Sequence, residues 1–179
     1  TWTSLDRGTR VLCNCSSELL PLSRDHTDIE MDLQLRIADK TWPILSRLMG
    51  GHARIYRMTG GRLGHHIPGV PPMCLIDHVG AKSGKKRTSP LLYIEDGENV
   101  VIVASKGGYE KSPAWFYNLK ANPETTVQIG NDVRPVRAHV ADEAERARLW
   151  PKAVEVYPSY QQYQDRTDRK IPIVVLEPR

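Results

Sequence analysis

GAKSGKKRTSPLLYIEDGENVVIVASKGG, residues 80–108, is the stretch that decides the fold. Leu91 to Glu95 and Val100 to Ala104 are β-rich runs. Asp96-Gly97 between them is a favoured hairpin dipeptide, because glycine takes positive φ without steric cost. The stretch therefore predicts a β-hairpin entered through one glycine-bearing loop, Gly80–Pro90, and left through another, Ser105–Gly108. The entry loop packs four cations (Lys82, Lys85, Lys86, Arg87), two glycines and three hydroxyl side chains into eleven residues, with no carboxylate. Successive N–H groups beside Lys and Arg make a site for phosphate or carboxylate. The glycine and lysine spacing is not that of a P-loop, which removes support for nucleoside triphosphates. A solvated basic turn is the simpler alternative.

After the exit loop, Ser112 is placed to cap a helix, with Pro113 at its first position and Trp115, Phe116 and Leu119 inside it. That helix would aim the positive end of its dipole near the second glycine loop. Upstream, Met73 to Val79 reads as a strand. Downstream, Thr125 to Ile129 and Val133 to Val140 flank Gly130-Asn131-Asp132 as a second hairpin. Asp142 and Glu145 form a capping-box pattern for a helix to about Val156, and Ile171 to Leu176 is a buried strand. About six mainly antiparallel strands with flanking helices predict an α+β barrel. Hairpin connections without βαβ units exclude a Rossmann arrangement.

The remaining sequence narrows the function class. The chain has 179 residues, 40% hydrophobic and 26% charged, enough for one sizeable core. Between His52 and Pro90, Arg54, Arg57, Arg62, Lys82, Lys85, Lys86 and Arg87 face one carboxylate, Asp77, so the modest overall charge of +4 is concentrated where an anionic ligand would bind. Nucleic acid is disfavoured, since few aromatics interleave the cluster and no recognition motif accompanies it. Cys13, Cys15 and Cys74 lack paired metal-ligand spacing and fit a reducing cytoplasm. The histidines, His78 among them, read as polar surface or loop residues, and no metal site is expected. Residues 1–29 show no clear period. From Glu30, Leu33, Ile37, Ala38, Thr41, Leu45, Leu48 and Met49 recur near helical spacing before a predicted stop at Gly50-Gly51. We therefore divide the chain into an N-terminal extension, 1–50, partly helical, and a barrel domain, 51–179. The extension either packs on the barrel or, with Trp42, lies on a membrane surface.

Tyr157-Pro158-Ser159-Tyr160-Gln161-Gln162-Tyr163 is the second chemical feature. Pro158 suits a first helical turn, and Tyr160 and Tyr163, three apart, share a helix face. With seven tyrosines against one phenylalanine, phenols stand where plain rings would serve for packing. An amphipathic packing stripe is the plainer alternative.

The ordered motifs GAKSGKKRTSPL, VASKGG, PAWFYNL, Ala121-Asn122-Pro123 and IPIVVL resemble, over residues 52–179, the deazaflavin-dependent nitroreductase family of actinobacteria. The resemblance implies a split β-barrel and, as cofactor, coenzyme F420 in its reduced form as hydride donor. It implies that Lys82, Ser83, Arg87 and Thr88 hold the phosphate region, and that Pro90, Leu91, Val103, Ala104, Ser105, Lys106, Gly107, Gly108, Ala114 and Trp115 contact the rest of the cofactor. Asn118 would either meet solvent or cap a neighbouring turn. Tyr157, Tyr160 and Tyr163 would lie over the substrate side, Tyr160 as proton donor or polariser and Ser105 as a second hydrogen-bonding group. The acceptor would be a quinone, activated enone or nitroaromatic. Leu92 stands where a nitroimidazole-reducing member has an aromatic hydroxyl, which weakens the nitroimidazole expectation specifically. The implied partner is an F420-reducing dehydrogenase sharing the cofactor; the expected location is cytoplasmic, or peripheral at the inner face of the cell membrane if the extension lies on it. Two alternatives remain open from sequence: a non-catalytic F420 or quinone binder, and an FMN- or haem-binding split-barrel protein.

Overall fold

The computed structural model describes residues 50–66 and 69–179. All lie in a compact unit that runs from Trp42 to Arg179. The helix expected from Glu30, Trp42, Cys13 and Cys15 fall outside the described residues. The expected stop at Gly50-Gly51 is not observed: both glycines are helical, in α1, over residues 50–58. Glycine costs about 1 kcal/mol within a helix, and here the following turns repay it by burying Ala53 and Tyr56 against Leu75.

Six strands close a barrel: β1 (Met73–Val79), β2 (Lys86–Asp96), β3 (Asn99–Val103), β4 (Glu124–Ile129), β5 (Asp132–Val140) and β6 (Ile173–Pro178). They are ordered β1-β2-β3-β6-β5-β4, with β4 returning to β1. Every pairing is antiparallel. The predicted hairpins are present, the first turning at Gly97 and the second at Gly130, both at positive φ. One boundary differs. Strand β2 begins at Lys86, inside the basic run, because Val79↔Lys86 and His78↔Arg87 extend its ladder with β1. Only Gly80–Lys85 remains as a turn.

The barrel interior holds Cys74, Ile76, Tyr93, Ile102, Val127, Val136 and Leu176, and is plugged by Trp115, Phe116 and Leu119 of helix α2 (Ala114–Ala121). Alternate residues of β3 and β6, Val101, Val103, Ile173 and Val175, form a second core on the outer face. It is covered by α3 (Glu143–Val156) and α4 (Ser159–Asp165). Being buried on both faces explains why VVIV and IVVL are unbroken apolar runs rather than alternating ones. The Asp142–Glu145 capping box forms as expected, with Glu145 N–H donating to Asp142 Oδ1 at 2.8 Å and Asp142 N–H to Glu145 Oε2 at 3.1 Å. Ser112 does not cap α2. Pro113 occupies that position, and Ser112 Oγ instead accepts from Arg169 Nη1 at 3.3 Å.

Candidate functional site

Beyond β3 the chain enters a 3-10 turn, Lys106–Gly108. Lys106, Gly107 and Gly108 have φ of 47°, 67° and 84°, three successive residues in the left-handed region. For a lysine this costs roughly 1–2 kcal/mol and persists only where neighbours over-determine it. Gly108 N–H donates to Ser105 O at 3.1 Å and Tyr109 N–H to Lys106 O at 3.3 Å, while the Lys106 ammonium lies 5.1 Å from the Tyr109 ring centroid. Ser105 is 9% exposed. Gly108 packs so closely on α4 that a Cβ there would lie 2.6 Å from Tyr163 O and 3.2 Å from Tyr163 Cα. The glycine loop and the tyrosine helix are thus in direct backbone contact.

The basic turn is closed by Gly80 N–H to Lys85 O (2.9 Å) and Gly84 N–H to Gly80 O (2.8 Å), with Gly84 at φ 65°. Lys82, Ser83, Lys85, Lys86 and Arg87 are exposed. Beneath them lies a buried polar relay that sequence reasoning missed. Ala81 N–H donates to Asn118 Oδ1 at 2.9 Å, and a backbone N–H can only donate, which orients the amide. Asn118 Nδ2 must then donate to His78 Nδ1 at 2.9 Å, leaving the His78 proton on Nε2, which donates to Ser89 Oγ at 3.0 Å. His78 is therefore neutral and only 6% exposed, not the polar surface or loop residue expected for the histidines as a group. Burial, then the charge of Arg87, pushes its pKa below the ordinary histidine value, Asp77 opposing. Of the two roles open to it from sequence, Asn118 does not meet solvent but caps the neighbouring basic turn. Asn118 is four residues after Ala114, ~6 Å along the α2 axis from the helix start.

The other candidates sort by exposure. Thr88 is half-buried, and its hydroxyl donates to Asp77 Oδ1 at 2.6 Å. Burial alone would raise the Asp77 carboxyl, but hydrogen bonds from Thr88, Arg57 and Thr126 hold it below the usual range. Pro90, Val103, Ala104 and Trp115 are buried and Leu91 is half-buried, with Leu91, Ala104 and Trp115 in the barrel interior and Val103 in the outer core; Ala114 is exposed.

Tyr160 and Tyr163 lie on α4 and Tyr157 at the C-terminal end of α3, and the three rings meet. Ring centroids of Tyr157 and Tyr160 are 5.1 Å apart, and Tyr160 and Tyr163 6.4 Å. The Tyr157 and Tyr163 hydroxyls approach to 3.4 Å, and the Arg166 guanidinium lies 5.7 Å from the Tyr163 ring. Tyr160 packs in the outer core, beside half-buried Leu92. Burial, then the neighbouring Tyr157 and Tyr163, raises its phenol well above 10. Burial and the Tyr157 hydrogen bond push Tyr163 up to about 12. Of the three, Tyr163 meets the glycine loop at Gly108, while Asn118 of α2 is bonded to the basic turn. A separate open crevice of about 580 Å³, lined by Arg57, Arg62, Asp77 and Gln128 among others, contains none of the predicted site residues.

Arg169 was invisible to motif reading, since Asp165-Arg166-Thr167-Asp168-Arg169-Lys170 looks like an ordinary charged surface run. Only the fold brings it against Ser105 O, to which Nη2 donates at 2.8 Å.

The family model described as F420H(2)-dependent quinone reductase matches residues 48–178. An F420H(2)-dependent quinone reductase of Mycobacterium tuberculosis (strain ATCC 25618 / H37Rv) is 45% identical over 139 residues, spanning 74% of this chain and 91% of that protein. A solved structure described as an F420-H2 dependent reductase (FDR-A) superposes with TM-score 0.56 at 47% identity, covering 59% of this chain and 94% of that one. Another, described as a domain-swapped dimer, superposes with TM-score 0.58 at 40% identity over 74% of this chain and 98% of that one.

Proposed function

Because this chain belongs to the F420H(2)-dependent quinone reductase family, we propose that it reduces a quinone at the junction of the glycine loop and the tyrosine helix. It is an F420-dependent oxidoreductase with a split-barrel fold. The observation that carries the placement is the contact of Gly108 with the backbone of Tyr163, which joins the proposed cofactor-binding loop to the proposed proton donors.

The residues present fit the cofactor. Coenzyme F420 has an anionic phosphodiester and oligoglutamate tail at one end and a flat ring at the other. Exposed Lys82, Ser83 and Arg87 on the closed basic turn suit the tail, with charge-assisted bonds to phosphate oxygens. The left-handed backbone of Lys106–Gly108 lets main-chain atoms approach a ring without intervening side chains. When bound, reduced F420 supplies a hydride. The chain supplies the rest. Ser105 carries no side-chain hydrogen bond among the described residues and is available to a substrate oxygen. The Tyr160 and Tyr163 phenols, with raised pKa, hold their protons at neutral pH, so Tyr160 donates a hydrogen bond to the acceptor oxygen and Tyr157 and Tyr163 orient it.

Among acceptors, a quinone is favoured by the family; activated enones and nitro compounds follow from the same chemistry. We place residues 1–50 as an extension at the membrane surface, where a lipid quinone is reached; the exposure of Ile55, Met58 and Leu63, close in sequence to Arg54, Arg57 and Arg62, supports this. No helix among the described residues is long and apolar enough to cross a membrane. An F420-reducing dehydrogenase would regenerate the cofactor.

The test is a fluorescence titration of the purified protein with F420 and with FMN, salt being added at saturation, followed by mixing of the reduced F420 complex with menadione. Tight, salt-sensitive F420 binding with menadione-dependent reoxidation is expected. Binding without reoxidation would reassign the protein to sequestration, and a preference for FMN would refute the proposal.

A further inference from the structure

Arg169 is tied into the glycine loop more extensively than any other side chain of the site. Its Nε donates to Tyr109 O at 2.7 Å, Nη1 to Ser112 Oγ at 3.3 Å, and Nη2 to Ser105 O at 2.8 Å and Ala104 O at 3.3 Å. The four acceptors span both ends of the segment between β3 and α2. None is a carboxylate, and burial lowers the Arg169 pKa, Tyr117 opposing. A half-buried cation among carbonyl and hydroxyl acceptors, with no carboxylate partner, closes a loop that a neutral side chain could close, which argues for a requirement of shape. Only a planar fork with five N–H donors reaches these acceptors together; an ammonium on a single stem does not.

The Arg169 backbone is itself held from the tyrosine helix. Gln164 Nε2 donates to Arg169 O at 2.9 Å and to Thr167 O at 3.3 Å, while Gln164 Oε1 accepts from Ile171 N–H at 2.9 Å and from Arg146 Nη2 at 3.1 Å. The guanidinium is thus anchored on α4 and reaches across to the loop whose Lys106 sits at φ 47°.

We propose that Arg169 is a positioning residue that holds the Ser105–Tyr109 loop in its left-handed, binding-competent conformation before the cofactor arrives. The inference rests on the reading above that this loop takes F420. A loop that populates its competent form only fractionally binds with an affinity reduced by that fraction, so the consequence is a weaker cofactor complex in a protein that is still folded.

The experiment compares Arg169→Lys, Ser112→Ala and Gly107→Val, each confirmed folded by circular dichroism at 25 °C. Expected for Arg169→Lys is an F420 Kd raised about tenfold or more, with the salt dependence of binding unchanged because the basic turn is intact. Ser112→Ala, which deletes one of four acceptors and leaves the cation, is expected to raise Kd about two- to threefold and serves if Arg169→Lys does not fold. In the cofactor-free protein, hydrogen exchange at the Gly108 and Tyr109 amides is expected to accelerate in both. A merely structural role would lower the melting temperature while leaving Kd and these two amides as in the parent, and that result overturns the proposal. If Gly107→Val leaves F420 binding at the parental value, the loop is not the cofactor site and the underlying reading is what fails. If Gly107→Val weakens binding and Arg169→Lys does not, only the assignment to Arg169 fails.

Discussion

Gly108→Ala isolates the contact on which the site depends. At φ +84°, the new Cβ would stand 2.6 Å from Tyr163 O, 3.2 Å from Tyr163 Cα and 3.3 Å from Arg166 Cβ. Two of these are backbone atoms and the third is the root of a side chain, so no flexible end can swing aside. Either the loop or α4 must shift. Alanine in the left-handed region costs ~1–2 kcal/mol, and overpacking of a fixed site adds about 1–3 kcal/mol. Gly107→Ala is the matched reference: its φ is +67°, but its nearest neighbours are Tyr109 ring carbons at 3.7 and 3.8 Å, so only the conformational part applies. Urea unfolding of the cofactor-free proteins should therefore place Gly108→Ala about 1–3 kcal/mol below Gly107→Ala. Displacement of Tyr163 from the loop should lower kcat at saturating cofactor, where misplacement by about 1 Å costs on the order of 10²-fold. Equal destabilisation by the two alanines would refute the claim that the loop and the tyrosine helix touch at Gly108.

Three further outcomes follow from the site. Tyr160→Phe should bind F420 as the parent does and lose about 10²-fold in kcat with menadione; stopped-flow reoxidation at the parental rate would remove Tyr160 from the mechanism. Lys82→Ala combined with Arg87→Ala should raise the F420 Kd and flatten its dependence on salt, because exposed charges at the tail are the screened ones; an unchanged salt slope in fluorescence titrations places the tail elsewhere. His78, depressed in the fold relative to its ordinary 6.5, binds fewer protons folded than unfolded, so its contribution is fully present above about pH 6.5 and is lost as pH falls toward the depressed value. Urea midpoints should fall in that window for the parent and less steeply for His78→Gln, and parallel pH profiles would show that the relay does not titrate.

Local signals with a single physical cause were legible in the sequence. Asp96-Gly97 and Gly130-Asn131 announce turns because positive φ selects their residues, Asp142-Glu145 announces a helix because its capping bonds are local, and the apolar runs of β3 and β6 announce strands buried on both faces. What was not legible depends on residues far apart in the chain. His78 and Asn118 are 40 positions apart, and nothing local distinguishes a strand histidine that meets a helix amide from one that meets water. Arg169 reaches acceptors 57 to 65 positions away, and its immediate surroundings argue for solvent. Ser112 was misread for a related reason: as an N-cap it satisfied every local rule, but a distant guanidinium uses its hydroxyl. The glycine at 51 failed as a stop because tertiary burial of Tyr56 outweighs a local preference of about 1 kcal/mol.

The direction of the tyrosine pKa shifts bears on the order of events at the acceptor. A phenol raised by burial is a weaker acid than free tyrosine, so with the acceptor placed as proposed, Tyr160 would not part with its proton to an unreduced quinone oxygen, which is a poor base. It can hydrogen-bond to that oxygen, drawing charge toward it and making the ring carbon more electrophilic. Once the acceptor has been reduced, the same oxygen carries negative charge and becomes basic enough to take a proton even from a raised phenol. Burial of Tyr160 therefore argues for polarisation first and proton transfer after the hydride, which a more exposed and more acidic donor would not enforce.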